Sequence, residues 1–474
     1  MKKPQLRTSS RYRLTSWVYI AVIVLILIVL NIGANLIPFQ IDFTPNKTFS
    51  LSGECRNMIQ SVEQDVEIIA CDDRINYSYN IYRSNVAETI ENMAAASSHI
   101  EASFKNIEKN PALKAEYPQI ASLSTSDILV RLKADPSKYR QLSLNDLFEY
   151  DSSARTITES KVEYYLANAI DYCTRSEFPT LYITTNHSED TPNAFLSLLR
   201  DNNYTVQTLN LLSSPIPEDA DYLFIFNPKT DFSATETEKL ESFLSNGGNL
   251  GKNLFVFMSP EQTELPYLET FLAEWGISAK TGMIYNTQYS IDTAYESILL
   301  GISDTTVLGS LSPGINILSE QTRPLSLLFQ SRDYASTKAL LSALPSSQLI
   351  ADPGQAKDPA SDSRISAPVL AMGTRYVQNS SVQSHVVVSG SYKLISDAYI
   401  SDSNIGNASY LAQLIKTLDP DNTKLFIFPK SMQTPLLSFS GNTEKTVALV
   451  VFVVVLPLAV AGAGVAVYLK RRHR

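Results

Sequence analysis

Few side chains in this 474-residue chain are of a kind and spacing that could do chemistry. The strongest group is Asn186-His187-Ser188-Glu189, which follows an apolar run, Thr180 to Thr184, that reads as a strand. Open α/β sheets bind ligands beyond the carboxyl ends of their strands, so a polar tip there is a candidate site. Asn227 ends the neighbouring strand, Tyr222 to Phe226, and would share the pocket. Asn186, His187, Ser188, Glu189 and Asn227 are therefore candidate ligand-binding residues for a small molecule or a glycan. The competing reading is a loop that caps the next helix, with Asp190 or Thr191 as N-cap.

Other chemistry finds less support. Gly247-Gly248-Asn249-Leu250-Gly251-Lys252-Asn253 is one residue short in its glycine spacing for a phosphate loop and lacks the Ser/Thr. It also follows a helix, whereas such a loop must open one so that amide dipoles meet phosphate. The strand ending at Phe226 runs into Asn227-Pro228, not into the Gly-x-Ser-x-Gly turn of a nucleophile elbow. His99, His187 and His385 are too few and scattered for a histidine-rich metal site, and His385 reads as the start of a strand. Cys55, Cys71 and Cys173 form neither a zinc pattern nor a disulfide framework. A Cys55–Cys71 bridge and buried free thiols both remain open. No catalytic residues, metal or cofactor are expected. The net charge is −9 and the basic residues cluster at the two ends, which argues against nucleic acid.

The elements that must position the tip fall into three blocks. The first, 39–155, reads as a small β-α-β-β domain covered by helices on one side, with a helix over 84–98 burying Val86, Ile90, Met93 and Ala94. The second, 156–284, alternates short apolar strands with amphipathic helices, the pattern of a mostly parallel, doubly wound sheet of flavodoxin or glutamine-amidotransferase type. Ser233 with Glu236 three residues on is a capping box, and Gly247-Gly248 stops the helix it opens. The third, 285–430, completes this outer region. It contains a polar loop (351–363), neighbouring strands at 367–373 and 385–390, and a last helix with Leu411, Leu414, Ile415 and Leu418 inward. Six Asn-x-Ser/Thr tripeptides, at Asn46, Asn76, Asn186, Asn203, Asn379 and Asn407, would accept glycans in a eukaryotic secretory pathway and carry no such meaning in a bacterium.

Two stretches without charge flank these blocks, 16–38 and 447–469. About 20 apolar residues in a helix cross a hydrocarbon core of roughly 30 Å, so each reads as a membrane span. Lys2, Lys3, Arg7, Arg11 and Arg13 precede the first, and Lys470, Arg471, Arg472 and Arg474 follow the second. Positive flanks stay inside. The expectation is a two-pass protein of a bacterial plasma membrane. Tails 1–15 and 470–474 would be cytoplasmic, the bulk extracytoplasmic, and 431–446 a tether. Ala459, Gly462, Ala463 and Ala466 give the second span a small-residue face suited to packing on a partner helix in lipid.

Four stretches, in order, resemble the GldG-like (gliding-motility-type) auxiliary proteins of ABC transport systems. They are Asp42-Phe43-Thr44 with Lys47-Thr48-Phe49-Ser50-Leu51-Ser52, similar to the family's "D-x-T…K-x-Y-S-L-S" opening; the tip Asn186-His187-Ser188-Glu189, where the family often has Gly-His-x-Glu; the strand–Pro–Ser-x-x-Glu–Gly-Gly–strand run from Phe224 to Met258; and Val386-Val387-Val388-Ser389-Gly390-Ser391 with Asn407. Asn186 in place of glycine departs from the pattern. The resemblance implies a non-catalytic subunit working with a membrane permease and, through it, a cytoplasmic ATPase. A cell-envelope hydrolase acting on glycans and a surface scaffold are the alternatives.

Overall fold

The computed structural model describes residues 17–26, 42, 44 and 46–432 apart from positions 121, 154, 263, 310, 312–314, 356, 360, 361, 379, 403 and 420–425, with scattered positions between 446 and 469. Chain order begins with α1 (Gly53–Ser61), β1 (Val66–Ala70), α2 (Ile81–Ala96), β2 (Ile100–Phe104), β3 (Asp127–Leu132) and β4 (Tyr139–Ser143). Ser52 caps α1 and Asn80 caps α2, each accepting from a backbone N–H in the first turn. The four strands form one sheet in the order β2-β1-β3-β4, with β1 and β2 parallel and the other pairs antiparallel. Val66, Ile68, Val130 and Ile128 face Met58, Val86, Ile90 and Met93 of α1 and α2. Where helices were expected on one side only, the opposite face, Ile69 and Leu129, is also covered, by the segment carrying Ile107, Leu113 and Tyr117. On that face Ile69 is joined by Glu67, which is 4% exposed and paired with Lys105 and Arg131, so the second side of β1 is buried with its one charge compensated.

A hairpin, β5 (Phe148–Asp151) and β6 (Thr156–Ser160), leads into α3 (Val162–Thr174). The second unit contains β7 (Thr180–Thr185), α4 (Asn193–Asp201), β8 (Thr205–Asn210), β9 (Ala220–Phe226), α5 (Ala234–Ser245), β10 (Asn253–Phe257) and α6 (Pro266–Glu274). It continues with β11 (Ile298–Ile302), β12 (Ile317–Ser319), β13 (Ala335–Ala343), β14 (Pro368–Tyr376), β15 (Gln383–Ser389), α7 (Asp397–Ser401) and α8 (Asn407–Thr417). One large sheet runs β12-β11-β13-β14-β15-β10-β9-β7-β8, with a two-residue strand at 331–332 beside β13. The half from β15 to β8 is parallel and the half from β12 to β14 antiparallel. The chain after 285 adds its longer strands to this same sheet and builds only small sheets of its own, one joining 283–285, 348–350 and 363–364 and one joining 277–279 and 325–327. It inserts β15 beside β10, with His385 opposite Asn253.

Alternation along the central strands sends residues to two cores. Phe224, Phe226, Phe255 and Phe257 pack with α4 and α8, while Leu223, Ile225, Leu254 and Val256 pack with α5 and α6. Helices on both faces are what a doubly wound reading requires, and the fold is mixed α/β. The chain then returns to the first unit, where β16 (Lys430–Ser431) pairs antiparallel with β6.

Cys55, Cys71 and Cys173 are buried free thiols, and burial, reinforced by Asp127, pushes the Cys71 thiol up to about 12. Residues 17–26 are helical and their apolar side chains exposed. No helix among the described residues is long and apolar enough to cross a membrane. Much of both uncharged stretches, including Ala459, Ala463 and Ala466, lies outside the described residues. Gly462 is helical, and a Cβ added there would meet nothing within 4 Å.

Candidate functional site

At the carboxyl end of β7 the backbone takes two left-handed residues, Asn186 (φ 91°) and Ser188 (φ 55°), on either side of His187. This contortion leaves Asn186 and Ser188 exposed and turns His187 inward, where it is 4% exposed. Its Nε2 lies 3.0 Å from Glu236 Oε1, and its ring stacks on Phe232 with centroids 3.9 Å apart. Glu236 is the third residue of α5 and already serves the capping box, its Oε2 accepting from the Ser233 amide and hydroxyl at 2.8 Å each. Burial pushes its carboxyl up, but the bonds from Ser233 and His187 outweigh that and hold it below the ordinary 4.5.

The remaining predicted residues close the cluster. Glu189 folds back to accept from the His187 amide at 2.7 Å. The His187 carbonyl accepts from the Lys229 amide at 2.7 Å. Asn227, 4% exposed and left-handed at φ 51°, donates to Asp190 Oδ2 at 2.6 Å, and Lys229 pairs with the same oxygen at 3.0 Å. All five candidates thus meet at the tips of β7 and β9, two of them facing inward. Helix α4 begins with Pro192 at its N-cap and no side-chain cap. The expected capping by Asp190 or Thr191 is not made, because Asp190 is engaged by Asn227 and Lys229. Among the described residues, no group of three or more His, Cys, Asp or Glu is placed to hold a metal ion. The arrangement binds β7, β9 and α5 to one another, and of the five candidates Asn186 and Ser188 are the exposed ones.

A second polar cluster has no local sequence signal. Glu163, at the start of α3, accepts from the Ser52 amide at 3.0 Å and from the Ser52 hydroxyl, and it pairs with Lys430. The Asn46 side chain donates to the Ser431 carbonyl at 2.8 Å. Asn85 of α2 donates to the Thr48 carbonyl at 2.8 Å and accepts from the Ser160 hydroxyl at 2.7 Å. The segment 42–52, the start of α3 and the strand β16 are thereby fastened together. The partners lie 37 to 385 residues apart in the chain, so local spacing could not have found them.

The last motif is structural as well. A Cβ on Gly390 would stand 2.0 Å from the Arg323 carbonyl oxygen, so only glycine fits that close approach. Asn407 is fully buried, accepting from the Leu318 amide and donating to the Leu318 and Leu394 carbonyls.

Residues 178–298 match the family model of an ABC-type uncharacterized transport system. That match, over the segment that carries the β7 tip, supports an auxiliary component of ABC transport. Residues 45–142 match a domain of unknown function (DUF7088). No curated protein matches the chain. Among solved structures, the mmIFT52 N-terminal domain is 18% identical with a TM-score of 0.39, over 51% of this chain and 97% of that one. A glutamine amidotransferase from Thermotoga maritima is 8% identical with a TM-score of 0.28, over 52% of this chain and 99% of that one. Likenesses of this size bear on neither fold nor activity here.

Proposed function

We propose that this protein is a GldG-like, non-catalytic auxiliary subunit of an ABC-type transport system, anchored by the stretches 16–38 and 447–469 in a bacterial plasma membrane. Its outer units bind a ligand or partner beside the permease. The observation that carries this reading is the fastening of the two ends of the outer region. Asn46 and Ser431 are hydrogen-bonded, and Lys430 and Ser52 share Glu163. The described ends of the outer region, from which the chain continues toward both uncharged stretches, meet here, so two anchors would hold the outer units against the bilayer. The ABC-transport match over 178–298 supports the same role. In this reading His187, Glu189 and Asn227 shape the tip, and Asn186 and Ser188 are the part of it that meets a ligand or partner.

Two measurements test it. The native cysteines are buried, so one new surface cysteine reports topology. Ser213→Cys should react with a membrane-impermeant maleimide on intact cells, and Ser9→Cys only after permeabilisation. The reverse pattern defeats the topology. Mild detergent extraction should also recover a multi-span permease and its ATPase with the protein. A chain that purifies alone defeats the auxiliary role.

A further inference from the structure

We propose that β8 is a pairing edge, through which two copies of this protein join their large sheets into one continuous sheet across a two-fold axis. This goes beyond the accessory role and does not depend on it. β8 closes one side of the large sheet, in the order β10-β9-β7-β8. The Thr205 amide donates to the Pro179 carbonyl at 3.0 Å, so the backbone groups of Thr205, Gln207 and Leu209 point at β7. Alternation along the strand turns those of Val206, Thr208 and Asn210 away from the sheet. The Asn210 carbonyl accepts from the Ser214 amide at 3.0 Å, and the Tyr204 amide donates to the Leu199 carbonyl at 3.0 Å. The amides and carbonyls of Val206 and Thr208 have no hydrogen-bond partner among the described residues.

An open edge is a template for another strand, and proteins ordinarily blunt it with charge, brevity, a bulge or a cover. The other edges of the two main sheets follow that rule. β2 carries Glu101 paired with Lys133, β4 carries Arg140 over the Tyr172 ring, and β12 has three residues, all buried. β8 has none of these devices. It is six residues long, pairs with β7 without a bulge, and exposes Thr205, Gln207 and Thr208. The surrounding stretch, 202–217, contains no Asp, Glu, Lys, Arg or His.

Charge and register make a second copy the occupant. A two-fold axis brings each residue near its own counterpart, where a charge would meet its like and destabilise the pair. An edge that pairs with itself must therefore be neutral, as this one is. The four free groups also lie symmetrically about Gln207. An antiparallel neighbour centred there puts Val206 opposite Thr208 of the second copy, and Thr208 opposite its Val206. Opposed residues of this kind exchange both N–H···O bonds, so all four free groups of each copy are paired. An axis at Val206 would need the Tyr204 amide, and one at Thr208 the Asn210 carbonyl, and both are already engaged. Gln207 would meet its counterpart on the opposite face of the strand from Val206, which packs on the core beneath α4.

The test uses the full-length protein in mild detergent, expressed alone in a heterologous host and oxidised with copper phenanthroline. The native cysteines are buried, so one introduced thiol reports its own neighbour. In this register the two Gln207 Cα atoms stand about 4.5 Å apart, within the roughly 4.4–6.8 Å of a disulfide. Gln207→Cys should form a covalent dimer, and Gln141→Cys, exposed on the β4 edge, at least ten-fold less. A second arm co-expresses two differently tagged copies. Wild-type copies should co-purify, Q207K with Q207K and Q207E with Q207E should not, and Q207K with Q207E should recover the pair. No dimer from Gln207→Cys above that of Gln141→Cys, a cross-link to a different protein, undiminished pairing of Q207K with itself, or no recovery in the mixed pair overturns the edge. If permease and ATPase co-purify from the native membrane while Gln207→Cys stays uncross-linked, the pairing falls and the accessory role stands. If Gln207→Cys cross-links and nothing co-purifies, the pairing stands and the accessory role falls.

Discussion

Helix α4 starts beside the β7 tip and ends at Asp201 in a cleft beside the hairpin β5–β6, and its two ends show opposite uses of buried acid. At the tip, Glu236 accepts from the Ser233 amide, the Ser233 hydroxyl and His187, and the cluster turns inward, with His187 Nδ1, Glu189 Oε1 and Asn227 Oδ1 buried and without a hydrogen-bond partner among the described residues. In the cleft, Asp201 and Asp402 line an opening of about 420 Å³, and Asp201 stands among the charges of Lys161, Arg140 and Arg200. The Glu163 cluster is of the first kind, with Glu163 buried and paired to Lys430 and Ser52. A closed cluster uses its polar groups to join chain segments, and removing one member strands the others in a medium that cannot solvate them. An open cluster leaves its groups available, and removing one should cost little stability. The tip was the natural site to expect from its position in the fold; the wider opening lies elsewhere.

The largest effect should come from Glu163→Ala. It leaves the Lys430 ammonium, whose side chain is 14% exposed, with only the Lys47 and Ser50 carbonyls as acceptors, and removes the oxygen that accepts from both the Ser52 amide and hydroxyl. Breaking a buried pair by removing one partner costs about 3–5 kcal/mol, and urea unfolding should read a loss of that size. A cost below about 1 kcal/mol would place Glu163 with the open group.

His385 makes a third closed contact, with its Nδ1 3.0 Å from the Thr374 hydroxyl. Burial, with the charge of Lys338, lowers its value from 6.5 to about 4. The unfolded chain therefore binds the proton more readily between those values. Stability is fully present above about 6.5 and falls as the pH drops toward about 4, by about 3 kcal/mol if this group acts alone. Unfolding measured from pH 7 to pH 4 should show this slope in the wild type and a shallower one in His385→Leu. Equal slopes would mean the imidazole is solvated after all.

How much of this was legible beforehand follows from the range of each interaction. The Ser233/Glu236 capping box and the inward face of α8 (Leu411, Leu414, Ile415) depend on neighbours three or four residues away, and both could be read directly. Periodicity fixes which face of a strand is buried but not which strand lies beside it, so the insertion of β15 next to β10 could not be read. The five tip residues were brought together as expected. That His187 would face Glu236, 49 residues away, was invisible, because the inward turn depends on left-handed backbone at Asn186 and Ser188, which are not glycines. Asn407 shows the same limit from the other side. Its tripeptide reads as a surface glycan acceptor, yet its side chain is buried between two carbonyls.

Glu236→Ala should cost about 2–3 kcal/mol, from a lost cap of about 1 kcal/mol and a buried histidine left without its acceptor. Because its carboxyl sits below the ordinary 4.5, the stability it contributes is present above that value and lost as the pH falls through the folded value. The gap between wild type and Glu236→Gln should accordingly narrow in acid.

The smallest effects test the comparison most directly, because they contrast the exposed fringe of the closed cluster with the open one. Ser188 is exposed at φ 55°, a conformation that strains any residue bearing a Cβ. Ser188→Gly relieves that strain but also frees the unfolded chain, so the net change should stay within about 1 kcal/mol. Asp201→Asn should be quieter still, within about 0.5 kcal/mol, as for a partly exposed surface substitution. Urea unfolding of both variants beside the wild type should read these two small changes. A loss of 2 kcal/mol in Asp201→Asn would instead mean that its bond to Tyr164 holds the helix end in place. The cleft would then be a closed cluster with a gap beside it, and the distinction between the two ends of α4 would fail.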